Sequence, residues 1–377
     1  MTVPLTVGVP REVKTDENRV AVTPDGVREA AAHGVAVLVE SGAGDGSRIT
    51  DDDYRTVGAE IVADAAEVWA RADLVCKVKE PQADELAHLR PGLVLLTYLH
   101  LAAYPEVAEA LLERRVTGVA YETVQLASGA LPLLAPMSEV AGRMAVQVGA
   151  ACLERHHGGR GVLLGGVPGV RPARVVVLGA GNVGWNAAWL AAGIEADVHL
   201  LDKNLDRLRF VDQIHRGRIT TLASNRGAVE REVVEADLVI GAVLVPGGRA
   251  PTVVTEDMVR TMKPGAAIVD IAVDQGGCVA TTRETTHADP TYEVHGVVHY
   301  AVGNMPGAVP YTSTHALTNA TLPYLVELAR LGPAAAAAAD PALAAGINTV
   351  DGHVTNAAVA EALGRPHQPL EGVLGAD

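Results

Sequence analysis

Residues Arg174 to Asp202 read RVVVLGAGNVGWNAAWLAAGIEADVHLLD. Val175 to Leu178 is an unbroken β-branched and aliphatic run, the pattern of a strand buried on both faces. Gly179, Gly181 and Gly184 follow at once in G-x-G-x-x-G spacing. Ala187 to Ala192 predicts a helix, and Gly193 is suited to stop it. A second apolar run, Val198 to Leu201, ends in Asp202. Strand, glycine turn, helix, strand and acid in this order make up a dinucleotide fingerprint.

Each residue type in that order has a physical task. Gly179 permits the tight turn, Gly181 lets the backbone approach a pyrophosphate, and Gly184 lets the helix lie close to the strand. The unpaired N–H groups and positive dipole end of the helix then face the phosphates. A carboxylate at Asp202 accepts both ribose hydroxyls of the adenosine half. It would repel a 2′-phosphate, which favours NAD over NADP.

The 377 residues suggest two domains of ordinary size. Hydrophobic residues make up 49% and aromatics only 3%, so small aliphatic residues build the interior, as suits parallel sheets under helices. A formal charge of −15 argues against nucleic acid or an anionic membrane as partner. No apolar run reaches the length of a membrane span, and the start, MTVPLTVGVPREVK, lacks a signal-peptide layout. Cys76, Cys152 and Cys278 are too few and too scattered for a disulfide framework. A reduced, cytoplasmic setting is expected. His156, His157, His287, His295 and His299 lack the spacing of a metal site and read as surface or structural residues, so no metal is expected.

Upstream of the fingerprint, strands are predicted at Leu5–Val9, Val35–Val39, Glu60–Val62, Leu74–Val78, Leu93–Thr97 and Val116–Ala120, mostly separated by helical stretches. Thr23-Pro24 offers an N-cap with Pro at N1 for one of these helices. This βα alternation predicts a doubly wound parallel sheet. Arg19, Lys79 and His100 all fall past predicted strand ends, on the edge where open α/β sheets bind ligands, and together suit an anion. Pro136 to Glu154 predicts a connecting helix with Ser138 in its first turn. Downstream, Leu238–Val245, Ala266–Val273 and Tyr300–Val302 read as further strands of a nucleotide-binding sheet, with Asp274 ending one of them. After Gly307 the pattern returns to helix and loop, and this tail is expected to complete the first domain.

Several longer segments carry a resemblance: VGVPREVKTDENRVAVTP from Val7, KVKEP from Lys77, TYLHLA from Thr97, YETV from Tyr121 and LAPMSEVAGRMA from Leu134. GGVPGV, IGAVLVPG, DIAVDQGGC, NMPGAVPYTSTHALTNAT and TNATLPYLVELA complete the set. In order and spacing the chain resembles the NAD-dependent L-alanine dehydrogenase family, which includes the NAD-binding subunit of nicotinamide nucleotide transhydrogenase. The resemblance implies an α/β fold of two doubly wound Rossmann-like domains with a cleft between them. The first, discontinuous domain is expected over residues 1–132 and 308–377, and the NAD-binding domain over 133–307.

The resemblance also implies residue roles. Arg19 and Lys79 would hold the substrate carboxylate and carbonyl, and His100 and Asp274 would be the catalytic pair. Beside the glycine turn, cofactor contacts are implied at Ser138, Asn182, Val183, Asp202, Arg207, Ser224, Val243 and Leu244. Further ones are implied at Ile271, Ala272, Val273, Asp274, Arg283, Val302, Gly303, Asn304 and Met305. The implied reaction is reversible oxidative deamination of L-alanine to pyruvate and ammonium with NAD, by a homohexamer. Two other readings are a transhydrogenase-type NAD(H)-binding subunit and a non-catalytic NAD-binding regulatory protein. The presence of Arg19, Lys79, His100 and Asp274 argues against both.

Overall fold

The computed structural model describes residues 4–243 and 250–374, apart from the side chains of residues 274 and 275. The chain divides into two compact units, Met1–Met137 with Val309–Asp377, and Ser138–Ala308. Strands run β1 Val7–Val9, β2 Val37–Glu40, β3 Glu60–Val62, β4 Leu74–Cys76, β5 Val94–Thr97 and β6 Thr117–Ala120. Those of the second unit are β7 Arg174–Leu178, β8 Asp197–Asp202, β9 Ile219–Ala223, β10 Leu238–Gly241, β11 Ala267–Asp270, β12 Thr291–Val294 and β13 Val297–Tyr300. The chain then returns to the first unit with β14 Ile347–Val350 and β15 His353–Val354.

The first sheet has the order β15-β14-β6-β5-β4-β1-β2-β3. Strands β1 to β6 pair in parallel. Strand order reverses between β1 and β4, and such a reversal opens a crevice at the carboxyl ends of the strands. In register, Gly8 lies opposite Val75, Cys76 opposite Leu96, and Leu96 opposite Val119. Residues three or four beyond those pairs therefore gather on one edge. The helix Pro24–Ala32 is capped as expected, with Thr23 Oγ1 accepting from the Gly26 amide at 3.3 Å.

The second sheet has the order β12-β13-β11-β10-β7-β8-β9, with its reversal between β7 and β10. Leu178, Gly241 and Asp270 end their strands at one level. The strands β7, β10 and β11 are buried almost throughout, which is why their sequences read as continuous apolar runs. Among the described residues, no helix is long and apolar enough to cross a membrane.

Three local readings change. The tail is not only helix and loop: β14 pairs antiparallel with β6, and β15 folds back on β14. The turn between them is Asp351-Gly352, both at positive φ, the chemistry of a tight hairpin. Gly118 on β6 permits the close approach, since a Cβ there would lie 2.7 Å from the Thr349 hydroxyl. Near residue 300 the strand precedes the expected start and forms a hairpin over His295-Gly296, again with both residues at positive φ. Strand β9, whose Thr-rich sequence is only partly buried, gave no apolar run to read.

Candidate active site

The three candidate substrate residues lie in the first unit, and each is held by a glutamate to which the sequence reading gave no role. Arg19 sits in the loop after β1 and is almost fully buried. Glu17 receives its Nε at 2.6 Å on Oε1 and its Nη2 at 2.5 Å on Oε2. Glu17 Oε1 also accepts the Arg19 amide at 3.1 Å, and Arg19 Nη1 meets Met137 Sδ at 2.9 Å. Burial pushes the Glu17 carboxyl up, but the hydrogen-bonded guanidinium outweighs it and holds the carboxyl below its ordinary value. The two-pronged edge of Arg19 formed by Nε and Nη2 therefore faces Glu17.

Lys79 follows β4, on the residue after Val78. The Glu12 carboxylate accepts the Val78 amide at 2.6 Å and the Lys79 amide at 3.4 Å. Thr97 Oγ1 donates to the Lys79 carbonyl at 2.9 Å. Glu12 is fixed in turn by fully buried Lys77, at 3.3 Å, whose other partner is Glu85 at 2.7 Å. A buried ammonium without such carboxylates would be costly. Burial, then the like charges of Arg19 and Lys14, lower the pKa of Lys79 from its ordinary 10.5. Lys14 itself is paired with Glu80 and donates to the Tyr104 hydroxyl at 3.1 Å. Three cationic side chains, Arg19, Lys79 and Lys14, thus lie close together on one edge of the sheet.

His100 follows β5 and adopts a left-handed backbone, φ 46. Its ring stacks on Tyr98 at 5.5 Å with planes 3° apart. Tyr98 is itself pinned by a hydrogen bond from its hydroxyl to the Leu133 carbonyl at 2.6 Å. The Glu122 carboxylate accepts the amides of His100 at 2.6 Å and Leu99 at 3.2 Å. The sequence signal for Glu12, Glu17 and Glu122 was faint. Each is an acid just past an apolar strand or in its following loop, and of the three only Glu17 has its partner, Arg19, close by in the chain.

In the second unit the glycines divide their tasks as the fingerprint requires. Gly179 has φ 103, and a Cβ there would lie 2.5 Å from the Ala242 carbonyl oxygen. A Cβ on Gly184 would lie 1.8 Å from the Gly179 carbonyl oxygen, so only glycine lets the helix Asn182–Gly193 start this close to the strand. A Cβ on Gly181 would meet nothing nearer than Arg207 Nη1 at 4.0 Å. Packing thus dictates glycine at 179 and 184, whereas Gly181 leaves room outside the turn. That is the space a pyrophosphate needs, and these residues fit a dinucleotide.

Asp202 ends β8, where its Oδ2 accepts the Ala180 amide at 2.6 Å and its Oδ1 the Asn204 amide at 2.7 Å. Arg207 Nη1 lies 3.8 Å away. The acid therefore ties the glycine turn as well as offering its remaining lone pairs outward. Ser224 is in step with it, its amide donating to the Asp202 carbonyl at 2.9 Å. Val243 follows β10, and Ile271, Ala272 and Val273 form a 3₁₀ turn after β11. Asp274 belongs to the same turn, but its side chain and all of Leu244 lie outside the described residues.

Asp270, which the sequence reading passed over, organises this turn. It accepts amides from Ala272 at 3.1 Å, Cys278 at 2.9 Å and Val279 at 3.1 Å, and the Thr282 hydroxyl at 2.7 Å.

The remaining candidates are dispersed around the second unit. Val302 to Met305 follow β13, with Asn304 at φ 57. Arg283 lies over the Tyr292 ring at 4.1 Å. Ser138 lies in the first turn of the helix Ala135–Cys152, and Gly142 lets that helix approach Val183, since a Cβ there would be 2.2 Å from the Val183 carbonyl oxygen. Trp185 and Trp189 stack on each other at 5.8 Å, and Trp185 donates to His215 at 3.3 Å, so they pack sideways against the next helix, Leu205–His215. Glu154, His156 and His157 form an exposed group whose ligand atoms lie within 4.8 Å of one another, a proximity their spacing did not suggest. The three cysteines are buried and free.

Two family models match, one described as alanine dehydrogenase/PNT, N-terminal domain, over residues 8–141. The other, alanine dehydrogenase/PNT, C-terminal domain, matches residues 145–357. The chain is similar to an alanine dehydrogenase of Bacillus subtilis (strain 168), at 56% identity over 98% of this chain and 97% of that one. It is 55% identical to an alanine dehydrogenase of Mycobacterium tuberculosis (strain ATCC 25618 / H37Rv), over 98% of this chain and 99% of that one. A solved structure described as L-alanine dehydrogenase superposes with a TM-score of 0.93 at 50% identity, over 95% of this chain and 99% of that one. A transhydrogenase structure from Sinorhizobium meliloti is more distant, with a TM-score of 0.81 at 26% identity, over 94% of this chain and 99% of that one. Similarity of this extent, spanning both units, makes the chain a member of the alanine dehydrogenase/PNT family.

Proposed function

We propose that the protein catalyses the reversible, NAD-dependent oxidative deamination of L-alanine to pyruvate and ammonium. The observation that carries this reading is the cationic edge of the first unit. Arg19, Lys79 and His100 each follow a strand of that sheet, beside the reversal that opens a ligand crevice, in a chain that also has a complete dinucleotide turn. A small 2-oxo acid offers a carboxylate for Arg19 and a carbonyl oxygen for Lys79. Lys79, as an ammonium, polarises the carbonyl and stabilises negative charge on its oxygen. The imidazole of His100 gives and takes the protons that accompany addition and loss of water. Asp274, by resemblance, stabilises positive charge on the substrate nitrogen. NAD, when bound, supplies hydride acceptance from the alanine Cα and its return in the amination direction.

The resemblance further supports a homohexamer acting in the cytoplasm on alanine, pyruvate and ammonium. Purified protein mixed with NAD⁺ and L-alanine, followed at the NADH absorbance, tests the function. NADH formation that depends on both is the expected result. Hydride exchange between two dinucleotides with no dependence on alanine would replace this reading with the transhydrogenase one.

A further inference from the structure

Parallel pairing brings the segments after β5 and β6 side by side, because Thr97 lies opposite Ala120. Glu122, two residues past β6, therefore meets the backbone that carries His100. Its carboxylate is only 14% exposed. Oε1 accepts the His100 amide at 2.6 Å, and Oε2 accepts the Leu99 amide at 3.2 Å. Oε1 also lies 3.8 Å from His100 Nδ1. The backbone so held is the left-handed one, φ 46, which a residue with a Cβ keeps only where its surroundings impose it.

We propose that Glu122 is the positioning residue of His100. The inference rests on the role given to His100 in alanine oxidation. Two adjacent amides require two acceptors, and an ionised carboxylate supplies both from one side chain. Tyr98, stacked on the His100 ring, limits its rotation.

The device recurs at the neighbouring strand end, where Glu12 receives the amides of Val78 and Lys79 in the same two-pronged way. A repeated clasp under two candidate side chains argues for positioning rather than chance packing. Glutamine cannot reproduce it, since its NH₂ would confront one of the two amides.

The test is a cycle of Glu122→Ala and Glu122→Gln, each made in the natural chain and in a His100→Ala chain. The kcat for alanine oxidation and the alanine KM are measured, with amide hydrogen exchange of the segment Tyr98–Leu101. In the natural chain, Glu122→Ala should lower kcat on the order of 10-fold to 100-fold with KM within about threefold. Glu122→Gln, which keeps one acceptor and the side-chain shape, should recover part of this loss and serves if the alanine variant does not fold. In the His100→Ala chain, removing Glu122 should change kcat by less than about twofold. Exchange at the segment should accelerate in Glu122→Ala.

Equal losses in both backgrounds, kcat near that of the natural chain in either variant, or unchanged exchange would overturn the proposal. If His100→Ala alone keeps nearly full kcat, the reading of His100 fails. The exchange measurement would then still decide whether Glu122 holds this backbone.

Discussion

Glu17 and Arg19, two residues apart in the chain, lie edge to edge with Nε–Oε1 at 2.6 Å and Nη2–Oε2 at 2.5 Å, both side chains buried. Removing the charge from one member of a buried pair leaves the other poorly compensated, at a cost of about 3–5 kcal/mol. Glu17→Gln should therefore lower the unfolding free energy by roughly 3 kcal/mol in denaturant titrations at neutral pH. The Glu17 carboxyl titrates below its ordinary 4.5 in the folded chain. Its stabilisation is thus complete above 4.5 and is lost as pH falls through the lowered value. The stability gap between the natural chain and Glu17→Gln should narrow in that acidic window. A gap that widens on acidification would contradict the ionised pair.

Lys79 gives the opposite pH edge. Its pKa is lowered from 10.5 by burial and by the nearby Arg19 and Lys14 charges. On the proposed reading the protonated form attracts the 2-oxo acid, so pyruvate binding should weaken as pH rises through a value below 10.5. Lys79→Arg cannot lose its proton in this range, and its pyruvate affinity, weaker at neutral pH, should stay level. Fluorescence titration of pyruvate into the NADH-bound protein without ammonium isolates this effect. An unchanged alkaline edge in Lys79→Arg would assign it to another group.

The main outline of both sheets was legible because parallel strands buried on both faces write themselves as apolar runs. Val175–Leu178 is the plainest case. Arg19, Lys79 and His100 were legible through their place after such runs. Their supports were not: Glu122 reaches His100 across 22 residues and Glu12 reaches Val78 across 66, and no local pattern encodes those meetings. Strand β14 escaped because it pairs with β6, more than two hundred residues earlier, and its four residues carry no periodicity of their own. Its Asp-Gly turn was the available sign. Asp270 was hidden for a different reason. It ends an apolar strand as Asp202 does, and nothing in the sequence tells an acid that binds backbone from one that faces a ligand.

The resemblance gives Asp202 a ribose-binding role beside its hold on the glycine turn, and its variants should show both. Asp202→Ala removes the acceptor of the Ala180 and Asn204 amides and, on that reading, of the ribose hydroxyls. NAD affinity should fall by about 1.5–3 kcal/mol, or one to two decades. Arg207, now 3.8 Å from the carboxylate, loses its anion and becomes available to a 2′-phosphate. NADP use should therefore rise relative to NAD, and Asp202→Ala with Arg207→Ala should lose that gain. Steady-state KM values for both dinucleotides decide it. Natural-chain values in Asp202→Ala would detach Asp202 from cofactor choice.

Two glycines three residues apart allow the same substitution to give opposite results. Gly184→Ala would place a methyl 1.8 Å from the Gly179 carbonyl oxygen, a contact with backbone that nothing flexible can relieve. The strand or the helix must shift, at about 1–3 kcal/mol or more, and the melting temperature should fall clearly. Gly181 has φ −75 and ψ −171, a conformation alanine adopts without strain. Its added methyl would meet only Arg207 Nη1 at 4.0 Å. Gly181→Ala should therefore melt at or slightly above the natural temperature, because alanine restricts the unfolded chain more than glycine does. It should nevertheless bind NADH at least ten times more weakly, about 1.4 kcal/mol, since the methyl enters the space kept for the pyrophosphate. Thermal melts beside NADH fluorescence titrations of both variants provide the contrast. Tight NADH binding by Gly181→Ala would mean that the phosphates do not pass over this turn, whatever the fate of Gly184→Ala.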